Sequence, residues 1–413
     1  MIISGNRRFL VIISSILSGV LLLVKCSFSD KKSSGNTIQY SQFAGSTTCL
    51  KCHKDIYEKH LQTEHFLSSS IASIGMIKGS FEKNRNEYFF TPLSSVAMEK
   101  RGDSLYQVEY INGIEKQKGS IDIVVGSGRK GQSFLSWKNN SLVQLPVTYF
   151  TPESTWSSSP GFSPQKIAFN RVVTSRCLEC HSTYFKTISS EDKHPEEYDH
   201  SQIIYGISCE KCHGPAKEHV NFHTANPTDT GAKYIINPSA LSRQLQLDLC
   251  ALCHSGKLEK IKPSFSFQAG DKLSDYFSFS SSPGQTINID VHGNQLGLLS
   301  SSKCFIETEM TCTSCHNVHE NEKGKLEVFS QRCATCHNGT LHHQCKMTNT
   351  IGNAIYKNCI DCHMPLQPSR SIAVYLQGAS FPTPAKLRTH YITVYKEDTQ
   401  KILEFLKNGN AKK

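Results

Sequence analysis

Apolar and polar positions along the 413 residues fall into distinct regimes. Phe9 to Val24 form a mostly apolar run behind Arg7 and Arg8, followed by KCSFSD at 25–30. That layout is an export signal, too short for a membrane-spanning helix of about 20 residues. Between 81 and 150, NEYFF, LYQVEYI, SIDIVV, SFLSW and SLVQL alternate or run apolar, with Gly, Asn and charged turns between them. This predicts a small antiparallel β-meander, and PESTWSSSPGFSP (152–164) reads as the linker out of it. From 166 to 392 neither period is sustained, which predicts short helices and loops. DTQKILEFLK (398–407) fits an amphipathic terminal helix that packs against the body. The expected organisation is a signal over 1–25, a segment over 26–80, the β insertion and linker over 81–165, the irregular region over 166–392, and a tail over 393–413.

Hydrophobic content of 38% and 26 glycines leave little for a conventional apolar core. Cysteine changes the picture. Of 17 cysteines, 14 stand in seven copies of one pattern. Cys49 and Cys52 precede His53, Cys177 and Cys180 precede His181, and Cys209 and Cys212 precede His213. Cys250 and Cys253 precede His254, and Cys312 and Cys315 precede His316. Cys333 and Cys336 precede His337, and Cys359 and Cys362 precede His363. The first two copies start 128 residues apart, the gap that holds the β insertion. Cys26, Cys304 and Cys345 are left over, the last two as buried thiols or a disulfide.

In a helical turn, positions i, i+3 and i+4 share one face. Cys-x-x-Cys-His therefore aims two thiols and an imidazole at one patch. The thiols can add to the vinyl groups of a haem while the histidine ligates its iron. Zinc needs two cysteine pairs, or a pair and two histidines, per ion, and seven pairs do not divide that way. A disulfide framework suits an exported chain but gives no reason for seven following histidines. Seven covalently attached haems c are expected, and their apolar plates supply the missing interior, so the apoprotein should be largely unfolded.

Eleven histidines remain to fill the opposite axial positions. His319 lies one turn beyond His316 on the same face, so it cannot reach across its own porphyrin and should serve a neighbour. His219, behind a Gly-Pro turn after His213, should do likewise. The favoured distal set is His65, His219, His292, His319 and His390, with one of His342 or His343. His60 reads as an exposed helix residue, and one of His194, His200 and His223 is left as a seventh source.

CLKCH with LQTEHF (49–66), SCEKCHGPAKEHV (208–220), KCFIETEMTCTSCHNVH (303–319) and NCIDCHMP (358–365) with LRTHYI (387–392) resemble the cytochrome c-552/4 family of multihaem cytochromes c. The resemblance implies distal roles for His65, His219, His319 and His390. The expected fold is mainly α or irregular, short helices and loops wrapped around haems, with a small antiparallel β insertion. Two histidines per iron leave no site for a substrate, so the expected function is electron transfer between redox partner proteins or a quinone-linked membrane complex. Relatives also include enzymes that reduce nitrite or oxidise hydroxylamine at one open iron. No Cys-x-x-Cys-Lys variant occurs here. That counts against a nitrite reductase; the alternative reading is an oxidoreductase with one open iron acting on a small nitrogen or sulfur oxyanion, with Arg129, Lys130 or Arg176 as anion-binding candidates.

The net charge of +10 does not indicate nucleic acid. Loss of residues 1–25 leaves +7, and fourteen propionates set against seven ferric centres bring the total near zero. The Gly126-Ser-Gly128-Arg-Lys-Gly131 spacing matches a dinucleotide fingerprint, but QSFLSWKNNS follows where that site needs a helix, so it reads as a hairpin. Leu-Val-Lys-Cys at 23–26 resembles a lipoprotein signal. The expected location is periplasmic or outer-surface, anchored to a membrane through lipidated Cys26.

Overall fold

The structure, a computed structural model, describes residues 38–190, 193–279, 289–339 and 345–410. The export segment, Cys26, His342 and His343 lie outside them. The first eleven strands are β1 (Ser69–Ile71), β2 (Glu87–Thr91), β3 (Ser94–Arg101), β4 (Ser104–Ile111), β5 (Ile114–Ser120), β6 (Ile123–Val125), β7 (Gly131–Lys138), β8 (Ser141–Gln144), β9 (Val147–Phe150), β10 (Thr155–Ser158) and β11 (Arg171–Val172). Strands β2 to β5 form one antiparallel sheet in chain order. The second runs β1-β6-β7-β8-β11, with β9 on β7 and β10 on β9. The register follows turn chemistry. Asn112 and Gly113, both at positive φ, form the two-residue turn between β4 and β5.

Period-two burial builds the core between these sheets. Tyr88 and Phe90 of β2 point inward while Phe89 between them is exposed. They join Val96, Met98, Phe134, Leu145, Val147 and Trp156 in one cluster. Buried Gln107 crosses the interface, donating to the Val147 carbonyl at 2.7 Å and accepting from its N–H at 3.0 Å. Trp156 belongs to β10, so the stretch expected as a linker contributes a strand and a core side chain.

The second sheet also carries a wall. Ile123, Leu135 and Leu142 pack with Leu178, Tyr184, Phe185 and Tyr198. Those residues come from the helix Ser175–His181 and the hairpin Ser182–Thr187 with Tyr198–Tyr205, which hold the second motif.

The expectation of a mainly α or irregular fold is overturned. Seventeen strands occur among the described residues, all paired antiparallel, and hairpins also follow the second, fourth and seventh motifs. Helices are short, most of them four to nine residues, with Arg243–His254 and Lys396–Asn410 the longest. Such helices are marginal alone. The paired backbone of a hairpin satisfies its own polar groups beside an interior that the motifs line, and those pairings are invisible to a search for local periodicity. No helix of the described residues is long and apolar enough to cross a membrane.

Candidate haem site

Each motif closes one helical turn. His53, His316, His337 and His363 each donate a backbone N–H to the carbonyl of the first cysteine four residues earlier, at 2.8 to 3.1 Å. The second, third and fourth motifs lie within helices ending at His181, His213 and His254. Thiols and imidazole thus share a face in all seven.

The first five motifs open onto one connected cavity of about 2710 Å³. Single-ligand pockets run to about 300–1,000 Å³, so this space suits several large groups. Four motif histidines that line it each face a histidine from elsewhere in the chain. His53 faces His219 with ring centres 6.5 Å apart, and His213 faces His319 at 6.1 Å, both within 19° of parallel. His254 faces His65 at 6.1 Å and His316 faces His390 at 6.2 Å. Metal–nitrogen bonds of about 2 Å, plus about 1.1 Å from each nitrogen to its ring centre, set two imidazoles on one iron roughly 6.2 Å apart. His181 and His292 are electrostatic neighbours across the same cavity. By contrast, no cluster of three or more His, Cys, Asp or Glu side chains suited to a metal ion forms among the described residues, whereas a zinc closed by protein ligands needs four.

Proton placement fits axial ligation. The Nδ1 of His213 meets the Ile236 carbonyl at 2.9 Å, that of His363 the Thr393 carbonyl at 3.0 Å, and that of His219 the Lys233 carbonyl at 2.8 Å. A carbonyl only accepts, so each ring is protonated at Nδ1 and keeps its Nε2 lone pair. His254 Nδ1 meets Gln295 Oε1 at 3.0 Å, and Gln295 Nε2 donates to Val291, which orients the amide. Burial pushes His65, His181 and His390 down to about 4, so these rings stay neutral.

The remaining histidines separate by the same criteria. His60 is buried, correcting the expectation of an exposed residue. Its Nε2 donates to the Ile207 carbonyl, so its 6.4 Å approach to His319 is not an axial pair. His200 stacks on Trp137 at 3.8 Å and bonds the Asn139 carbonyl. His194 is exposed. His223 lies 4.6 Å from His219, too near for an iron between them. His337 and His363 are electrostatic neighbours. Cys304 and Cys345 are both free thiols.

Residues outside the motif pattern set these positions. Glu210, buried inside the third motif, accepts from the N–H groups of Ala44, Gly45 and Ala216 at 2.8 to 3.0 Å, which ties it to the segment leading into the first. Glu179 does similar work for the second, accepting from Phe265 at 2.6 Å. Asp290 accepts from the N–H groups of His292 and Arg370 and from the Ser369 hydroxyl. Ser302 Oγ donates to the His390 carbonyl and accepts from Ile392 N–H. Gly206 sits at φ +64°, where a Cβ would stand 2.1 Å from the Phe66 carbonyl oxygen, so only glycine lets that chain cross beside His65. An acid within a motif bound for burial was the available signal for Glu179 and Glu210. The other three leave none.

Thiols of different motifs also meet. Cys49 neighbours Cys209, Cys180 neighbours Cys253, and Cys250 neighbours Cys312. Of the anion-binding candidates, Arg176 is committed to Glu179, Cys180 and the Leu252 carbonyl, and Arg129 to Glu64 at 3.4 Å.

Residues 151–214, which hold the second and third motifs, match the family model described as cytochrome c554 and c-prime. No curated protein matches by sequence. Among solved structures, the outer cell wall cytochrome OcwA aligns with a TM-score of 0.56 at 17% identity, over 87% of this chain and 81% of that one. An undecahaem cytochrome from the S-layer of Carboxydothermus ferrireducens aligns at 17% identity with a TM-score of 0.38, over 87% of this chain and 53% of its own. The likeness to OcwA is one of fold.

Proposed function

We propose that this multihaem c-type cytochrome is an exported electron-transfer protein holding seven haems c, one on each motif. Bound haem supplies reversible one-electron chemistry at iron. The chain's part is to fix both axial ligands and the spacing. The axial pairs in this reading are His53 with His219, His181 with His292, His213 with His319, His254 with His65, and His316 with His390. The observation that carries the proposal is that four motif histidines each face a second imidazole at axial spacing, which would leave those four irons no side open to a substrate. His342 or His343 is proposed for one of the two remaining motifs.

The thiol contacts support an order. Attachment edges of the first and third motifs meet, as do those of the second and fourth and of the fourth and fifth. The CHxxH sequence joins the third to the fifth, since His316 and His319 belong to different pairs. Cys315, Cys304, Cys336 and Cys333 are electrostatic neighbours, and Cys333 neighbours Cys359. Two arms therefore converge on the fifth motif and continue through the sixth to the seventh. Redox partner proteins or a quinone-linked complex would dock at the ends, and lipidation of Cys26 would hold the conduit to a membrane.

Ferric-state EPR with a mass-spectrometric haem count tests the reading. Seven attached haems, all low-spin, are expected. A high-spin centre that shifts on adding nitrite would instead favour catalysis at an open iron.

A further inference from the structure

The loop between β6 and β7 has the glycine spacing of a nucleotide site, yet its glycines have local causes. A Cβ on Gly126 would stand 2.7 Å from the Gly131 carbonyl oxygen, and one on Gly131 would stand 2.7 Å from that of Tyr149. Close backbone approach explains the glycines but not the two cations between them. Arg129 reaches Glu64. Lys130 is half-buried in the wall of the same cavity as the thiols. No carboxylate lies within ion-pairing distance of it among the described residues.

Its charged neighbours are Arg129, Lys323 and Arg388, all positive. Arg388 is already spent on Asp361 and the Met364 carbonyl. Burial, then these like charges, push the Lys130 ammonium below its ordinary range. A cation drawn partly out of water calls for an anion, and the described chain offers none within ion-pairing distance. Two further donors are idle: the backbone N–H groups of Ser127 and Lys130 meet no acceptor among the described residues. The loop is held against the segment carrying His65. Strand β6 pairs with β1, Gly126 N–H donates to the Ser68 carbonyl at 2.8 Å, and Arg129 pairs with Glu64, the residue before His65.

We propose that Lys130, with the N–H groups of Ser127 and Lys130, forms a carboxylate cradle for a propionate of the haem attached at Cys250 and Cys253. The proposal rests on the reading that this haem lies between His254 and His65. An ammonium at the porphyrin edge disfavours the ferric state, so Lys130 raises that haem's midpoint potential. Paired with the propionate, the lysine is also compensated.

The test is spectroelectrochemical titration of the purified holoprotein as Lys130→Gln and Lys130→Arg, with a mass-spectrometric haem count and resonance Raman of the propionate bending modes. A His65→Met background identifies the wave of the fourth haem. Lys130→Gln should keep the wild-type haem count, lower the fourth haem's midpoint and shift one propionate band, with Lys130→Arg restoring both. Lys323→Gln, which alters an exposed neighbour, should leave that wave in place. An unmoved wave, a shift at another haem, or an equal shift from Lys323→Gln overturns the cradle. Wild-type protein lacking a haem on Cys250 and Cys253 would overturn the haem reading on which the cradle rests, and the count separates the two.

Discussion

At His319 two imidazoles compete as partner, and one nitrogen decides between them. His60 and His213 both approach to within 6.4 Å, but His60 Nε2 is engaged by the Ile207 carbonyl, whereas His213 is protonated at Nδ1 and keeps Nε2 for metal. His319→Ala should therefore convert the haem attached at Cys209 and Cys212 from low-spin to high-spin and leave the one at Cys312 and Cys315 low-spin. EPR with haem-peptide assignment reads this, and a change confined to the fifth motif's haem would refute the pairing. Proximal histidines were legible in sequence because i, i+3 and i+4 is a local relation. That His319 turns away from its own motif, as it does in facing His213, was also legible, because one helical turn cannot bridge a porphyrin. Which motif's histidine it faces was not, because that depends on tertiary crossings such as Gly206 against Phe66.

At the scale of elements, the fifth and sixth motifs are clamped by one ion pair. Arg332, on the helix Leu326–Ala334, grips Glu322 with both terminal nitrogens and donates to the Cys315 carbonyl at 2.6 Å. Glu322 also accepts from Asn317 N–H at 2.9 Å, so the loop between His316 and His319 hangs on this carboxylate. The Arg332 hydrogen bonds, with the Asn317 N–H, hold Glu322 below the usual carboxylate range. A depressed folded pKa gives stability that is complete above the unfolded value of about 4.3 and is lost as pH falls through the lower, folded value. Acidification below pH 4.3 should thus loosen the fifth and sixth haems. Glu322→Gln, a loss of about 1–3 kcal/mol for a charged hydrogen-bond network, should show the same loosening at pH 7 and a flatter acid limb. Denaturant midpoints across pH would check both. Strands were legible where alternation is long, as in LYQVEYI, and missed where a hairpin arm is short or its partner distant. Ser182–Thr187 finds Tyr198–Tyr205 across a ten-residue excursion that leaves no period to detect.

For the whole molecule, the contrast between two interiors decides what the apoprotein can do. The two sheets have a side-chain core of their own, with Val96, Met98, Phe134, Leu145 and Val147 all fully buried among one another. The region beyond Val173 has two small clusters of its own, shares two more with the sheets, and lines with thiols and imidazoles a cavity of about 2710 Å³. Folding must offset about 1–2 kcal/mol of backbone entropy per residue, which small clusters around a solvent-filled void do not supply. Chain expressed without haem attachment should therefore keep antiparallel β signal in far-UV circular dichroism and yield a protease-resistant fragment of about residues 69–172. The segment carrying the last six motifs should be cut throughout. Composition made the need for a substitute interior legible, since 38% hydrophobic residues cannot fill both halves. It did not reveal that one half needs no substitute, because five apolar stretches become a core only when the sheets face each other. Uniform digestion of the haem-free chain would show that the sheets depend on the porphyrins as much as the rest does.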